Sequence, residues 1–202
     1  MRFDDGWQDT GTPGVWRTVG TRFVVDDAWL RLRADTCIDA AGEEISPFYV
    51  TVSPDWVCVI PFVTEDELLL VEEYRHGAGA AVLGFPGGRI EDSDRDPAAA
   101  AERELLEETG FRGTAAILGT VWANAANHTN RVHIVVVTEA RRVAEPDPGP
   151  GEQSRIRVMR YDEFKAEALA TTSQGSHIAA LPFVDRWRAD RGRANPQRPA
   201  TQ

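Results

Sequence analysis

The sequence predicts a mixed α/β sandwich, and three observations carry that prediction. Apolar and polar residues alternate from Trp29 to Ile38, the pattern of a half-buried strand. A near-continuous Val/Ile run occupies Arg131–Thr138. Between the strand-like stretches lies one acidic helix, and further helical patterning closes the chain.

Residues 1–20 are rich in Gly, Thr and Asp and read as a loosely ordered lead-in. In the first strand Leu30, Leu32, Ala34 and Ile38 fall on one side, with Trp29, Arg31, Arg33 and Asp35 on the other. Phe48–Val52 is its expected partner, joined through Ala-Ala-Gly-Glu-Glu. Val57–Val63 and Leu68–Tyr74 are expected to pair as a hairpin across residues 64–67, and a short apolar piece, Val82–Phe85, leads to the helix. Asp96 can cap that helix, Pro97 suits its first turn and Gly110 is placed to end it. Strands are expected at Ala115–Trp122 and Arg131–Thr138. The linker Ala144–Glu152 holds three prolines and two glycines, which excludes regular structure. A strand at Ile156–Met159, a helix from Tyr161 and an amphipathic helix near His177–Arg188 complete the pattern, without internal repeats. The expected division is an N-terminal extension with a β-hairpin (1–52), a main domain (53–190) and a flexible tail (191–202).

Composition narrows the function. A length of 202 residues suffices for one substantial core. A hydrophobic content of 42% with 27% charged residues is ordinary for a soluble globular protein. The net charge of −10 argues against a nucleic-acid or anionic-membrane binder, and means that an anionic substrate needs local cations, metal or arginine. The basic run Arg186–Arg198 reads as a frayed, solvated tail. Cys37 and Cys58 show neither zinc-ligand spacing nor a disulfide framework. With no signal-like segment and no apolar run near ~18 residues, the cytoplasm is the expected location.

The chemistry concentrates in the helix. Glu104 and Glu108 are four residues apart and Glu107 is three from Glu104, so the three share one side. Like charges this close raise one another's pKa. A solvated acidic face is the plain account of such a run. A divalent cation reverses the repulsion, and hard oxygen donors suit magnesium or manganese.

The stretch Arg103-Glu-Leu-Leu-Glu-Glu-Thr-Gly110-Phe111, entered through Pro86-Gly87-Gly88, resembles the signature box of the Nudix hydrolases, matching each fixed position of its second half. One departure precedes it. Counted from Gly88, the box's first glutamate position holds Asp94, and eight residues rather than seven separate it from Arg103. The extra residue lies in a loop, where insertion costs little, and it weakens the case for a role of Asp94.

The resemblance implies an α/β/α sandwich around a mixed sheet, and metal-dependent hydrolysis of a diphosphate joined to a nucleoside. It implies Glu104 and Glu108 as metal ligands, with Glu107 assisting and the Gly87 carbonyl completing the shell. It also implies that Arg103 orients a box glutamate, although an ordinary surface ion pair is the plainer account of that arginine. Leu70–Arg75, Val82–Gly88 and Asn130-Arg-Val-His133 are similar to the ADP-ribose pyrophosphatase and nucleotide-sugar hydrolase group, from about Phe23 to Arg188. That group implies phosphate contact by Arg75, and a homodimer whose exchanged N-terminal strands stack aromatics on the base. Trp29 and the Phe48-Tyr49 pair stand in the comparable segments. The resemblance further implies a general base supplied from a mobile loop before a late strand, where Glu152 is the candidate. A box glutamate acting as its own base is the alternative.

Two further departures bear on substrate. Gly84 stands where ADP-ribose hydrolases carry a glutamate, and alanines fill Trp122–Asn127 where they carry a proline. The sugar therefore stays open. Hydrolysis of a nucleoside diphosphate sugar is the leading expectation, a triphosphate pyrophosphohydrolase the near rival, and a nucleotide-sensing regulator with an inactive domain the distant one.

Overall fold

The computed structural model describes residues 14–147, 149 and 154–194. Two compact units make up the chain: residues 1–53 with 125–129, and residues 54–124 with 130–202.

In the first unit β1 (Arg17–Asp26), β2 (Arg31–Ile38) and β3 (Glu44–Val52) form an antiparallel sheet in that order. Local polar chemistry sets both turns. The Asp27 carboxylate accepts from the amides of Trp29 and Leu30, each at 2.7 Å. The Asp39 carboxylate accepts from Ala41 and Glu43, each at 2.9 Å, with Gly42 at φ 90°. The segment 125–129 joins this sheet through the Thr51 amide to the Asn127 carbonyl at 2.9 Å. Two expectations are corrected. Residues 17–20 belong to a strand rather than to a loose lead-in, so the element is three-stranded instead of a hairpin. Trp29 lies in the β1–β2 turn and is 92% exposed. β1 is exposed along almost its whole length, so no alternation marks it, and its pairing partner β2 defines it.

The second unit contains β4 (Trp56–Pro61), β5 (Glu67–Arg75), β6 (Ala80–Gly84), α1 (Pro97–Thr109), β7 (Phe111–Trp122), β8 (Arg131–Arg142), β9 (Ser154–Arg160), α2 (Tyr161–Ala170) and α3 (Gly175–Ala194). One sheet is mixed, with β4 parallel and β7 antiparallel to the central β8. The other is antiparallel in the order β6-β5-β9. Alternate residues of the same strands feed two cores. Val57, Val59, Leu69, Val135 and Val137 pack with Ala100, Ala101 and Leu105 of α1. Cys58, Ile60, Leu68, Leu70, Ile134 and Val136 pack with Tyr161, Phe164, Leu181 and Val184 of α2 and α3. The result is the α/β/α sandwich.

The expected β4–β5 hairpin does not form. Just beyond β4, Phe62 makes an isolated bridge to Leu68 and the Val63 amide donates to the Glu67 carbonyl at 2.9 Å. β4 uses one edge for β8, and on the other the amides of Val57 and Val59 donate to the carbonyls of Gly88 and Pro86, each at 2.9 Å. The glycine-bearing loop is thereby laid along a buried strand. The last helix is longer than expected and runs through Ala194, four residues into the stretch read as a tail. Among the described residues no helix is long and apolar enough to cross a membrane.

Candidate active site

Both ends of α1 follow from their local sequence. The Asp96 carboxylate accepts from the Ala99 amide at 2.8 Å, and Pro97 occupies the first turn. Gly110 ends the helix in the left-handed region at φ 74°, its amide donating to the Leu106 carbonyl at 2.8 Å. With Ala101 and Leu105 facing the core, the turns carrying Arg103, Glu104, Glu107 and Glu108 face the glycine loop.

Arg103 is the hub. Its Nη1 donates to Glu104 Oε1 and to Glu107 Oε2, each at 3.0 Å. The opposite side of the guanidinium meets Asp94, Nε to Oδ1 at 3.1 Å and Nη2 to Oδ2 at 2.9 Å, while Nη2 also reaches the Arg89 carbonyl at 2.9 Å. Asp94 has a side chain only 6% exposed, and the Arg103 hydrogen bonds hold its pKa below the ordinary carboxylate value. The extra loop residue therefore does not weaken Asp94: the loop folds it back as the main anchor of Arg103, a correction to the sequence reading. The Glu91 amide donates to Asp94 Oδ2 at 2.9 Å and the Asp94 amide to the Glu91 carbonyl at 3.0 Å, which shapes that turn.

Glu108 is half-buried, and its Oε2 accepts from the Gly87 amide at 3.3 Å. Burial, then the charge of Glu104, push its pKa up to about 8, with a smaller push from Glu73 and an opposing pull from Arg75. Arg75 pairs with Glu73 at 3.0 Å. A Cβ on Gly88 would overlap the Glu104 carboxylate, and one on Gly87 would overlap the Val57 carbonyl. Gly87 also sits at φ 154°, at the edge of the region that only glycine occupies freely. These glycines let carboxylate and backbone approach without an intervening side chain.

Glu104, Glu108, Gly87, Arg103 and Glu107 are thus brought together by α1 and the loop, and Arg75 acts on Glu108 from β5. Glu107 is 47% exposed and drawn to Arg103. Among the described residues no three His, Cys, Asp or Glu side chains converge as a ready ligand set. Trp29 and Tyr49 lie in the first unit, exposed on its β1–β2 turn and on β3. Glu152 lies outside the described residues.

Three features escaped the sequence reading. Asp55 binds the Arg131 amide at 2.8 Å and faces His133 Nε2 at 3.2 Å, while His133 Nδ1 lies 3.0 Å from Thr120 Oγ1. This clasps the start of β8. A cavity of about 500 Å³ is lined by Arg75, Gly87, Asn130 and His177 among others. The ring of His177 fills the room beside Gly84, whose missing side chain was the only available signal.

Residues 53–181 match the Nudix domain, and residues 16–51 match the nucleoside diphosphate sugar hydrolase N-terminal domain. The ADP-sugar pyrophosphatase of Mus musculus is 31% identical over 163 residues, 73% of this chain and 74% of that one. The methanol dehydrogenase activator of Bacillus methanolicus is 28% identical over 95 residues, 47% of this chain and 50% of its own. A solved structure of ADP compounds hydrolase shares the fold, with a TM-score of 0.78 at 21% identity, covering 91% of this chain and 100% of that chain. With the box on α1 and its domain match spanning most of the chain, this protein belongs to the Nudix family and is a Nudix hydrolase.

Proposed function

We propose that this hydrolase cleaves the diphosphate bond of nucleoside diphosphate sugars such as ADP-ribose, using magnesium or manganese, to give a nucleoside monophosphate and a sugar phosphate. The carrying observation is the carboxylate pair. Glu104 and Glu108 crowd one another beside two glycines, and the cost of charging Glu108 falls away when a hard cation binds. The substrate class draws support from the match of residues 16–51 and from the name of the mouse relative.

The two carboxylates that face the glycine loop, Glu104 and Glu108, have the hard-oxygen chemistry of a divalent-ion site. They would hold the ion, with the Gly87 carbonyl and Glu107 as further oxygen donors. When bound, such an ion would offset diphosphate charge and favour ionised water. Arg103 holds Glu104 and Glu107 in orientation, and Arg75 presents a planar guanidinium suited to phosphate oxygens. Glu152 is the proposed base. It accepts a proton as the water oxygen bonds to one phosphorus, while the bond from that phosphorus to the bridging oxygen breaks and its electron pair leaves with the other phosphate.

Trp29 and Tyr49 are proposed to stack on the base within a homodimer that exchanges the N-terminal strands. The apolar surface of that unit supports this, since Trp16, Val19, Phe23 and Trp29 are all exposed. Two buried free thiols, Cys37 and Cys58, suit the reducing cytoplasm, and the charge of −10 disfavours nucleic acid and membrane partners.

Product analysis tests the proposal. Nucleotide sugars, dinucleoside polyphosphates and triphosphates are incubated with either metal. A nucleoside monophosphate plus sugar phosphate is expected. Pyrophosphate from triphosphates, without turnover of any nucleotide sugar, would overturn it.

A further inference from the structure

β5 carries a carboxylate, Glu73, to which the reaction above gives no part. Glu73 and Arg75 are two positions apart and share a face of the strand, while Tyr74 between them is exposed on the other. The two side chains meet fork to fork, Arg75 Nη1 to Glu73 Oε1 at 3.2 Å and Nη2 to Oε2 at 3.0 Å. The Glu73 side chain is only 12% exposed, so this is not a solvated surface pair. The Glu73 backbone is paired on both edges of β5, with Val82 and Ser154, whereas Arg75 ends the strand opposite Ala80. A side chain rooted within the sheet therefore holds one at its rim. Arg75 lines the cavity of about 500 Å³ together with Gly87. Its charge opposes the rise in the Glu108 pKa that burial and Glu104 cause. After burial, the same charge helps lower the His177 pKa to about 4. Arg75 is thus felt both at the carboxylate cluster and at the cavity wall.

Resting on the phosphate contact proposed for Arg75, we propose that Glu73 is the positioning residue of that arginine, fixing its guanidinium in the orientation that meets the diphosphate oxygens of the substrate. Charge alone disfavours a carboxylate at this place. Glu73 adds to the repulsion on Glu108, and it opposes the approach of any polyanion. Its grip on Arg75 accounts for its presence. A long, unheld arginine at a strand end loses rotamer freedom when it takes hold of phosphate, and a fork formed beforehand removes that loss from the binding step. The pair takes one N–H from each Nη and leaves the remaining donors of the guanidinium to a ligand.

Positioning and plain charge predict opposite signs. The probes are analogues of ADP-ribose and of ATP with a methylene in place of the oxygen that bridges the α and β phosphorus atoms. Each is titrated calorimetrically into the full chain at saturating magnesium. Glu73→Gln removes a negative charge, so charge alone predicts tighter binding of a polyanion. Positioning predicts binding weaker by at least about fivefold. In an Arg75→Met background the same substitution should weaken binding no further, because the two residues act as one unit. A loss transmitted through magnesium would persist in that background. Arg75→Lys keeps the charge without the fork and should lose at least about tenfold, and it carries the test if Glu73→Gln does not fold. The proposal is overturned by unchanged or tighter binding in Glu73→Gln, by an equal loss in the Arg75→Met background, by parent-like binding in Arg75→Lys, or by a parent that takes up neither analogue. Failure of the nucleotide-sugar reading looks different: the ATP analogue alone binds, and the sign of the Glu73→Gln effect on it still decides the role of Glu73.

Discussion

Asp94 grips Arg103 with both carboxylate oxygens, at 3.1 and 2.9 Å, while the far side of the same guanidinium holds Glu104 and Glu107. A loop residue thereby positions two helix carboxylates through one rigid, planar cation.

Asp94→Asn removes the charge from that grip. Two charge-assisted bonds weaken, and urea denaturation at pH 7 should show a loss of about 2 kcal/mol. The pKa of Asp94 is lowered on folding. Its contribution is therefore complete above the ordinary carboxylate pKa and disappears as the pH falls through the lower folded value. The deficit of the variant should shrink over that acid range. An undiminished deficit in acid would mean that packing, not charge, holds the loop.

Gly88→Ala places a methyl group on the Glu104 carboxylate. The backbone of Gly88 is not left-handed, so strain at that residue is not expected. Magnesium affinity measured by titration calorimetry should drop at least about tenfold, with little change in thermal midpoint. Unaltered affinity would remove Glu104 from the proposed metal ligands.

Glu108 sets a pH dependence of both binding and stability. Its pKa is raised to about 8 from 4.5, so the folded protein holds a proton that the unfolded chain releases. The contribution is fully present below about pH 4.5 and is lost as the pH rises through about 8, by on the order of 1.4 kcal/mol for each unit crossed, less whatever the coupled Glu104 absorbs. Metal-free Glu108→Gln should therefore be more stable than the parent at pH 9, with less difference at pH 5. Magnesium binding should release a proton and tighten with pH up to about 8. Buffer-dependent calorimetric enthalpies check the proton count.

Glu152→Gln separates chemistry from binding. Loss of a general base costs about 10²- to 10⁴-fold in rate, so kcat should fall by at least ~10² with KM within a few-fold. Glu104→Gln and Glu108→Gln should abolish turnover while circular dichroism stays unchanged. Full turnover by Glu152→Gln would return the base role to a box glutamate.

Local chemistry was legible in the chain, and long-range pairing was not. The caps at Asp96 and Gly110 each depend on residues within four positions, so sequence spacing alone placed α1. The same holds for the shared side of Glu104, Glu107 and Glu108. β4 and β5 looked like a hairpin because both are apolar and adjacent, yet their edges are taken by β8 and by β6 and β9. β1 carried no signal because its side chains are almost all exposed.

What the amino-acid order determined by itself was a capped helix with its crowded carboxylates, the glycines before it and the strand-like runs around it. Each of these is governed by backbone geometry over a few residues. Only the tertiary structure decided that Asp94 returns to Arg103, that the glycine loop lies along β4, and that His177 fills the space beside Gly84. Those contacts join residues nine, about thirty and ninety-three positions apart, and burial and hydrogen-bond satisfaction select them only once both cores have closed.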